Sequence, residues 1–373
     1  MYTKEVFSTT VLGGIEVKNR FVRSATSDPN AENFVPNKTI FEKYEDLCKG
    51  EVGTIVMGYI VFSKSDHYAE NSLELAAETV SEFKKVTDMA HGYGTKMVAQ
   101  INHATTQLFF QPESTVYGPS EYTDPMNGIQ ATAFSKEQIQ ELITEFGQAA
   151  AYAKEAGFDG VQIHGAHGYM LNKFMSPLYN KRKDEYGGDV HGRMKIVLDV
   201  LSEIKSTCGE DYPVWIKLSS TDFEVDNKGL KEEDFLVIGE KLSVNGIDAI
   251  EVSGGSMAGV HGSARSKKYA AYHLDAAKKL TEKVDTQVIL VGGLRDIDEM
   301  ETILNNTKIE AFSMSRPLVR ESDLIKRWMN GDRTKAKCVA CNGCFNPNEI
   351  ECFFNLSKEK QQEYKEMMKK KSE

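Results

Sequence analysis

Long apolar runs are absent from this sequence of 373 residues. No stretch approaches the roughly 20 apolar residues that a helix needs to span a bilayer. The opening residues, Met1 to Glu5, also lack the apolar segment of a secretory signal. The expected location is therefore the cytoplasm, with no membrane as a partner.

An excess of positive charge is also absent. The 45 Lys and Arg residues are outnumbered by 55 Asp and Glu residues, which gives a formal net charge of −10. Because nucleic-acid backbones and anionic lipids are negative, this balance disfavours both as partners. A composition of 40% hydrophobic and 27% charged residues is typical of packed globular proteins. The composition favours a small molecule as partner and leaves a homo-oligomer open.

Cysteine is too scarce for a disulfide framework, with six residues in the whole chain. Four of them crowd together near the C-terminus, at Cys338, Cys341, Cys344 and Cys352. Thiolates in this number suit an iron–sulfur cluster or a structural Zn²⁺ ion. These four cysteines are therefore candidate metal ligands.

Short apolar runs rich in Val and Ile recur along most of the chain, each followed by a longer stretch with helical periodicity. This pattern is typical of βα units. The strand candidates are residues 20–27, 52–62, 96–103, 160–166, 214–220, 249–255, 287–293 and 311–318. Residues 135–156 and 230–244 are examples of the helical stretches between them. Eight such units predict an α/β fold, a (β/α)8 barrel.

Three additions to the barrel are expected. Residues 12–19 predict a small hairpin that closes the bottom of the barrel. Residues 104–134 form a long loop at the active-site end, which predicts a lid over the site. Residues 1–335 are the expected barrel domain. Residues 336–373 are a cysteine-containing extension with a charged tail, either packed on the barrel or frayed.

Polar residues gather where the predicted strands end, and in such barrels the chemistry lies at that end. The fourth strand ends in the pattern His164-Gly-Ala-His167-Gly-Tyr169. Gly165 permits a turn that aims both imidazoles into one pocket, where two N–H donors would polarise a carbonyl oxygen. Tyr169, with an ordinary pKa near ~10, could deliver a proton where carbanion character develops. Half of a metal site and a purely structural pair of histidines are the alternatives.

The seventh and eighth strands end in residues suited to a phosphate, which such barrels often hold at this position. Gly292 and Gly293 can bring backbone N–H groups close to an anion, and Arg316 can donate two hydrogen bonds to it. A tight turn at the glycines and a surface carboxylate partner for Arg316 are the alternative interpretation.

At residues 157–188, with Arg193 following, the sequence resembles the signature of the Old Yellow Enzyme family, the NADH:flavin oxidoreductases and NADH oxidases. Further matching segments support the resemblance, which spans roughly residues 1–330: residues 18–26, 100–103, 221–223, 291–294 and 313–318. The resemblance implies a (β/α)8 barrel that binds FMN non-covalently. It also implies hydride transfer from NADH or NADPH through flavin N5 to the alkene of an α,β-unsaturated carbonyl compound.

The resemblance also implies roles for individual residues. His164 and His167 would hold the substrate carbonyl oxygen, and Tyr169 would donate a proton opposite flavin N5. Lys217 would place a cation near flavin N1 where many members carry Arg, and Ser27 stands where many members place Thr or Cys. The cofactor contacts implied in this way are Ala25, Thr26, Ser27, Gly58, Gln100, His164, Lys217, Gly292, Gly293, Ser315 and Arg316.

The four C-terminal cysteines resemble the cluster motif of the 2,4-dienoyl-CoA reductase branch of this family, which carries a [4Fe–4S] centre. That branch spaces its third cysteine one residue further on. It also has an additional flavin- and nucleotide-binding portion that has no counterpart in this sequence. An iron–sulfur cluster, a zinc ion and a metal-free remnant of the motif therefore all stay open.

Two other functions stay open as well. An amine-oxidising or demethylating flavoenzyme of the same family would run the flavin in the opposite direction, with the cysteines accepting electrons. A flavin-binding protein whose catalysis has decayed belongs to a different functional class, and retention of both histidines and Tyr169 argues against it.

Overall fold

The computed structural model describes residues 3–27, 31–63, 66, 72–108, 111–222, 228–256, 269–344 and 350–372, with the backbone alone for residues 368–372. Phe223, residues 109–110 of the predicted lid and Glu373 lie outside this described part of the chain.

The described residues alternate between strands and helices along most of the chain. The strands are β1 (Thr10–Leu12), β2 (Ile15–Val17), β3 (Phe21–Arg23), β4 (Thr54–Ile60), β5 (Lys96–Ile101), β6 (Val116–Gly118), β7 (Tyr122–Thr123), β8 (Gln130–Ala133), β9 (Gly160–Gly165), β10 (Val214–Ser219), β11 (Ala249–Ser253), β12 (Gln287–Val291) and β13 (Ile309–Met314). The helices are α1 (Lys38–Lys49), α2 (Val80–Gly92), α3 (Lys136–Glu155), α4 (Met170–Met175), α5 (Val190–Cys208), α6 (Glu232–Val244), α7 (Leu274–Thr281), α8 (Ile297–Asn306), α9 (Arg316–Arg320), α10 (Leu324–Met329) and α11 (Lys358–Ser372).

Eight of these strands close into a barrel in the order β3-β4-β5-β9-β10-β11-β12-β13, and every neighbouring pair is parallel. The predicted (β/α)8 barrel is confirmed. The eighth predicted strand, residues 311–318, is wrong at its end, because β13 stops at Met314 and α9 begins at Arg316. Pro317 explains the difference, since proline cannot donate a ladder hydrogen bond and fits the first turn of a helix.

The predicted hairpin lies at β1 and β2, two residues earlier than expected, and it closes the N-terminal end of the barrel. Its turn is Gly13-Gly14, with φ values of +51° and +80° that favour glycine. The Trp215 indole donates a hydrogen bond to the Gly13 carbonyl at 2.9 Å, and a Cβ on Gly13 would overlap that indole. The hairpin packs on an apolar layer inside the barrel, formed by Val22, Val56, Val98, Trp215, Ala249, Ile289 and Ala311.

The helices pack on the outside, and α3 shows why the sequence predicts them well. The Ser135 hydroxyl accepts the Gln138 N–H, while the Gln138 side chain accepts the Ser135 N–H, so a capping box starts the helix. Its buried face is apolar throughout, from Ile139 to Ala153. A second predicted helix, residues 230–244, is α6 and starts two residues later.

The segment between β5 and α3, predicted as a lid, contains a small sheet in which β8 lies between β6 and β7. A buried ion pair fastens this sheet to α4, with Lys173 Nζ 2.6 Å from Asp124 Oδ2. Lys173 also lies over the rings of Tyr122 and Tyr179, at 5.1 and 4.8 Å from their centroids. Movement of this segment as a lid stays a prediction.

The described part of the cysteine-containing extension contacts the barrel. The Ala336 N–H donates to the Arg295 carbonyl at 2.8 Å, and the Asn355 side chain donates to the Arg320 carbonyl at 3.1 Å. Among the described residues, no helix combines the length and the apolar character needed to cross a membrane.

Candidate active site

Barrel register aligns the polar residues of neighbouring strands in one layer above the apolar layer. Lys217 on β10 pairs in register with His164 on β9 and with Glu251 on β11. Gln100 on β5 pairs with Gln162 on β9. Because alternate residues of a strand face the same side, Gln162 and His164 both point into the barrel. The interior therefore changes from apolar to polar toward the carboxyl ends of the strands.

The two histidines and Tyr169 lie side by side, in a group of residues that we call the pocket. The ring centroids of His164 and His167 are 5.3 Å apart, and those of His164 and Tyr169 are 4.6 Å apart. Burial lowers the pKa of both imidazoles well below 6.5, and the nearby charge of Lys217 adds to this effect. Both rings are therefore neutral near pH 7. A metal at this pair is not supported, because the described residues contain no group of three metal-ligating side chains.

The loop that carries His167 is held in an unusual backbone conformation. His167 has a φ of +64°, a left-handed conformation that is uncommon for residues other than glycine. The Ser219 hydroxyl accepts its N–H at 3.1 Å, and the Gln107 amide donates to its carbonyl at 2.8 Å. The ring Nε2 lies 2.7 Å from the Ser253 hydroxyl. Contacts from three elements thus determine where this imidazole points.

Tyr169 is half-buried beside a second tyrosine that the sequence analysis missed. The ring centroids of Tyr59 and Tyr169 are 5.7 Å apart. Burial, with a smaller contribution from Asp66, raises the pKa of Tyr169 to about 12. The phenol therefore keeps its proton at neutral pH, as a proton donor must. The one sequence signal that could have identified Tyr59 is its position directly after Gly58, a predicted cofactor contact.

A chain of polar side chains crosses the barrel below this pocket. The Gln100 amide donates to Gln162 Oε1 at 2.7 Å, and the Gln162 amide donates to Glu251 Oε2 at 2.8 Å. Glu251 Oε1 accepts the Ser24 hydroxyl at 2.8 Å and lies 3.5 Å from Lys217 Nζ. Sequence reasoning missed Gln162, Glu251 and Ser24, although a single Glu inside the apolar strand Ala-Ile-Glu-Val-Ser is a usable signal.

Other predicted cofactor residues surround this layer. Thr26 and Ser315 lie at one place, with their hydroxyl oxygens 2.8 Å apart. Ala25 is half-buried and Ser27 is exposed. Gly58 has a φ of +116°, and a Cβ there would lie 2.8 Å from the Ile60 nitrogen, so the position requires glycine.

Several buried polar atoms lack a hydrogen-bond partner within the described chain. Among them are both side-chain amide atoms of Asn102, Nδ1 of His164 and the Ser313 hydroxyl. Buried polar groups in folded proteins are nearly always satisfied, so unsatisfied donors and acceptors that converge inside a barrel indicate a polar ligand. Together with Gln100 and Lys217, the Asn102 amide and the Ser313 hydroxyl fit the polar edge of an FMN isoalloxazine ring.

The predicted phosphate residues are placed at the ends of β12 and β13. Gly292 and Gly293 have φ values of +102° and +75°, and a Cβ on Gly293 would lie 2.8 Å from the Ala271 nitrogen. Arg316 Nη1 donates to Asn342 Oδ1 at 2.6 Å, so the guanidinium contacts the cysteine-containing extension. Phosphate binding by these residues stays a prediction.

The four C-terminal cysteines are free thiols that line one cavity of about 20 Å³ together with Arg316. A volume of this size holds about one water molecule. Burial raises the pKa of Cys338, and it raises the pKa of Cys344 to about 11. In the described geometry these cysteines, like the rest of the described chain, form no group of three that could hold a metal ion.

The fold is a closed barrel of eight parallel strands, and two imidazoles and a phenol lie together beyond the polar layer of its interior. Residues 5–335 match the NADH:flavin oxidoreductase / NADH oxidase family, and the chain belongs to this family. It is thus an FMN-dependent NAD(P)H oxidoreductase of the Old Yellow Enzyme type, as its sequence motifs predict.

The curated relatives are of two lengths. An NADPH dehydrogenase from Bacillus subtilis is 29% identical over 85% of this chain and 92% of its own. An NADH oxidase from Thermoanaerobacter brockii is 29% identical over 91% of this chain, and a metal reductase from Desulforamulus reducens is 28% identical over 94%. The chain spans about half the length of these two, 53% in each case. Because the match with the metal reductase covers 94% of this chain, it must extend past Cys344.

Solved structures share the fold. The complex of 2-naphthoyl-CoA reductase with 2-naphthoyl-CoA gives a TM-score of 0.86 at 23% identity, over 93% of this chain and 56% of that one. Morphinone reductase gives a TM-score of 0.73 at 18% identity, over 90% of this chain and 91% of that one. At these identities the likeness concerns the fold alone.

Acid is expected to destabilise the protein through its buried histidines. Burial lowers the pKa of His103 to about 3, and the pKa values of His164 and His167 are also far below 6.5. Above pH 6.5 these rings are neutral in the folded and unfolded chains alike. As pH falls from about 6.5 toward 3, the unfolded chain binds protons that the folded chain excludes, so the free energy of unfolding falls by up to about 1.4 kcal/mol per pH unit for each ring.

Urea unfolding at pH 7.5 and pH 5 measures this effect. The wild type should lose stability over that interval, and His103→Gln should lose less. The matched control is His191→Gln, because His191 is exposed on α5. An equal pH dependence in wild type and His103→Gln would show that this ring is not kept neutral by the fold.

Proposed function

We propose that this protein reduces the alkene of α,β-unsaturated carbonyl compounds with electrons from NADH or NADPH. The observation that carries the proposal is the single pocket containing two neutral imidazoles and a protonated phenol. Bound FMN would supply hydride exchange at N5. The residues of this chain would bind the carbonyl group and protonate the carbon that becomes carbanionic.

His164 and His167 would bind the carbonyl oxygen as hydrogen-bond donors. A Ser253 hydroxyl that donates to Nε2 of His167 leaves the Nδ1 proton of that ring for a ligand, and Nδ1 of His164 has no partner in the described chain. Donors fixed in a buried pocket stabilise developing negative charge on oxygen better than water does. The burial that keeps both rings neutral also keeps them from protonating the substrate, which leaves that role to Tyr169.

Alanine substitution of each histidine tests the carbonyl site. In His164→Ala and His167→Ala, reoxidation of the flavin by an enone should slow by on the order of 10², the usual loss for one such donor. Reduction of the flavin by NAD(P)H and retention of FMN should change little. The control is His191→Ala, which lies outside the pocket. Wild-type enone rates in both variants would remove the proposed carbonyl clamp.

An amine-oxidising function is the second candidate, and the same site argues against it. The low pKa of both imidazoles makes them weak proton acceptors, whereas oxidation of an amine needs a group that takes up a proton. Anaerobic addition of simple secondary and tertiary amines should therefore leave the oxidised flavin spectrum unchanged. Bleaching by an amine without NAD(P)H would reverse this assignment. A flavin-binding protein whose catalysis has decayed predicts no bleaching by NADH, NADPH or an amine.

The four cysteines are a second candidate cofactor site within the same proposal. They share one cavity with a cation, Arg316, that would balance the charge of thiolates. Their donor set suits an iron–sulfur centre or a structural zinc ion. Iron and acid-labile sulfide in stoichiometric amounts would support the cluster, and zinc would support a structural site. A purified protein with neither would identify a metal-free remnant.

A further inference from the structure

A carboxylate lies inside the barrel directly below the proposed flavin site. The Glu251 side chain is fully buried and that of Lys217 is 4% exposed, with 3.5 Å between Oε1 and Nζ. Glu251 also accepts hydrogen bonds from Ser24 and Gln162. Each of these described contacts comes from a donor, which is the environment of an ionised carboxylate. A buried charge of this kind is costly unless it is paired, so the arrangement is tightly specified.

Glu251 determines which way two amides point. An ionised carboxylate only accepts hydrogen bonds, so Gln162 must turn its NH₂ group toward Glu251 and its carbonyl oxygen toward Gln100. Gln100 must then turn its own NH₂ group toward Gln162, as the 2.7 Å bond between Nε2 and Oε1 requires. This order of donors leaves the Gln100 oxygen for a ligand that presents an N–H group, such as the imide of a flavin.

Glu251 also reduces the net charge that the barrel presents to a ligand. Lys217 donates to the Ser24 hydroxyl at 2.9 Å, and that hydroxyl donates to Glu251 in turn. Burial lowers the pKa of Lys217, and Glu251 opposes that effect by favouring the ammonium form. The carboxylate therefore keeps Lys217 charged while cancelling part of its positive field. Both effects act on the position where a reduced flavin carries negative charge.

We propose that Glu251 is a positioning residue that orients the Gln100 amide and cancels part of the positive charge of Lys217. Through these two effects it sets the affinity for FMN and the redox potential of the bound flavin. The inference rests on the proposed contacts of Gln100 and Lys217 with the flavin. Loss of the carboxylate removes the negative charge beside Lys217, so the anionic reduced flavin becomes the partner that favours the ammonium form, and the reduced flavin is stabilised. Loss of the hydrogen bonds through Gln162 leaves the Gln100 amide free to rotate, which weakens the binding of oxidised and reduced FMN alike.

Spectroelectrochemical titration of the FMN-bound protein tests the charge effect. In Glu251→Gln, the preference for reduced over oxidised FMN should rise about tenfold, which is a positive shift of about 30 mV for a two-electron couple. Lys217→Met should shift the potential in the negative direction. The double variant should depart from the sum of the two shifts, because both substitutions act on one ion pair. The matched control is Glu310→Gln, whose carboxylate pairs with Lys4 and Arg20 on another part of the barrel.

Equilibrium dialysis of FMN tests the orientation effect with Gln162→Leu, which cuts the link to Gln100 without changing charge. The FMN dissociation constant should rise about tenfold, with little change in potential. This variant also keeps the inference testable if Glu251→Gln does not fold. Wild-type potential in folded Glu251→Gln, or wild-type affinity in Gln162→Leu, would overturn the inference. An unchanged potential in Lys217→Met would instead show that the proposed flavin contact of Lys217 is wrong.

Discussion

Tyr169→Phe is expected to slow reduction of an enone by about 10²–10⁴, the usual contribution of a positioned general acid. The phenol keeps its proton at neutral pH and lies against His164, at a centroid distance of 4.6 Å. Phenylalanine keeps the ring and its contact with the apolar cluster Ala104, Leu108, Val116 and Ile129. The substitution therefore removes the proton donor while leaving the packing in place.

Stopped-flow measurement of the two half-reactions separates this effect from a structural one. Flavin reduction by NAD(P)H should proceed at the wild-type rate in Tyr169→Phe, and only reoxidation by the enone should slow. The matched control is Tyr59→Phe, which removes the neighbouring hydroxyl from the same pocket and should cost much less. If Tyr59→Phe is the slower variant, the two phenols have been assigned the wrong way round.

Lys173→Met is expected to lower the free energy of unfolding by about 3–5 kcal/mol, the usual cost of removing one partner of a buried ion pair. Both side chains are almost completely buried, at 0% and 2% exposure for Lys173 and Asp124. Methionine leaves the Asp124 carboxylate buried without its cation. Since this pair joins α4 to the small sheet above the site, the loss should appear as early unfolding of that region.

Urea unfolding of three variants tests this prediction. The double variant Lys173→Met with Asp124→Leu should recover much of the lost stability, because no uncompensated charge remains. Lys84→Met removes an exposed helical ion pair with Asp88 and should cost less than about 0.5 kcal/mol. Equal losses at Lys173 and Lys84 would show that the buried pair does not fasten the sheet.

The fold was predictable from sequence because each βα unit carries its own periodic signal. Strand ends were less predictable. Residues 316–318 continue the strand pattern, but Pro317 lies in the first turn of α9, which begins at Arg316. The form of residues 104–134 was not predictable, because its small sheet depends on Lys173 and Asp124, which are far apart in the sequence. Local sequence patterns predict individual helices and strands, whereas contacts between residues far apart in the sequence determine how those elements pack.

The residues of the candidate site also differ in how well a local sequence pattern predicts them. His164, His167 and Tyr169 stand within six residues of one another, so a local pattern predicted that they share a pocket. Glu251 and Gln162 depend on barrel register across three strands, and no local pattern marks that relation. The sequence indicates a phosphate or a surface carboxylate as the partner of Arg316. Its contact with Asn342 depends on how the cysteine-containing extension packs on the barrel, which no local pattern shows.

The most direct test of the central claim is an anaerobic absorption titration of the purified protein with NADH, then NADPH, followed by an enone. The account predicts the spectrum of bound FMN, bleaching by at least one nicotinamide and full return of the flavin peaks as the enone is reduced. A protein that cannot be loaded with FMN, or a flavin that bleaches and is not reoxidised by any enone, would contradict it.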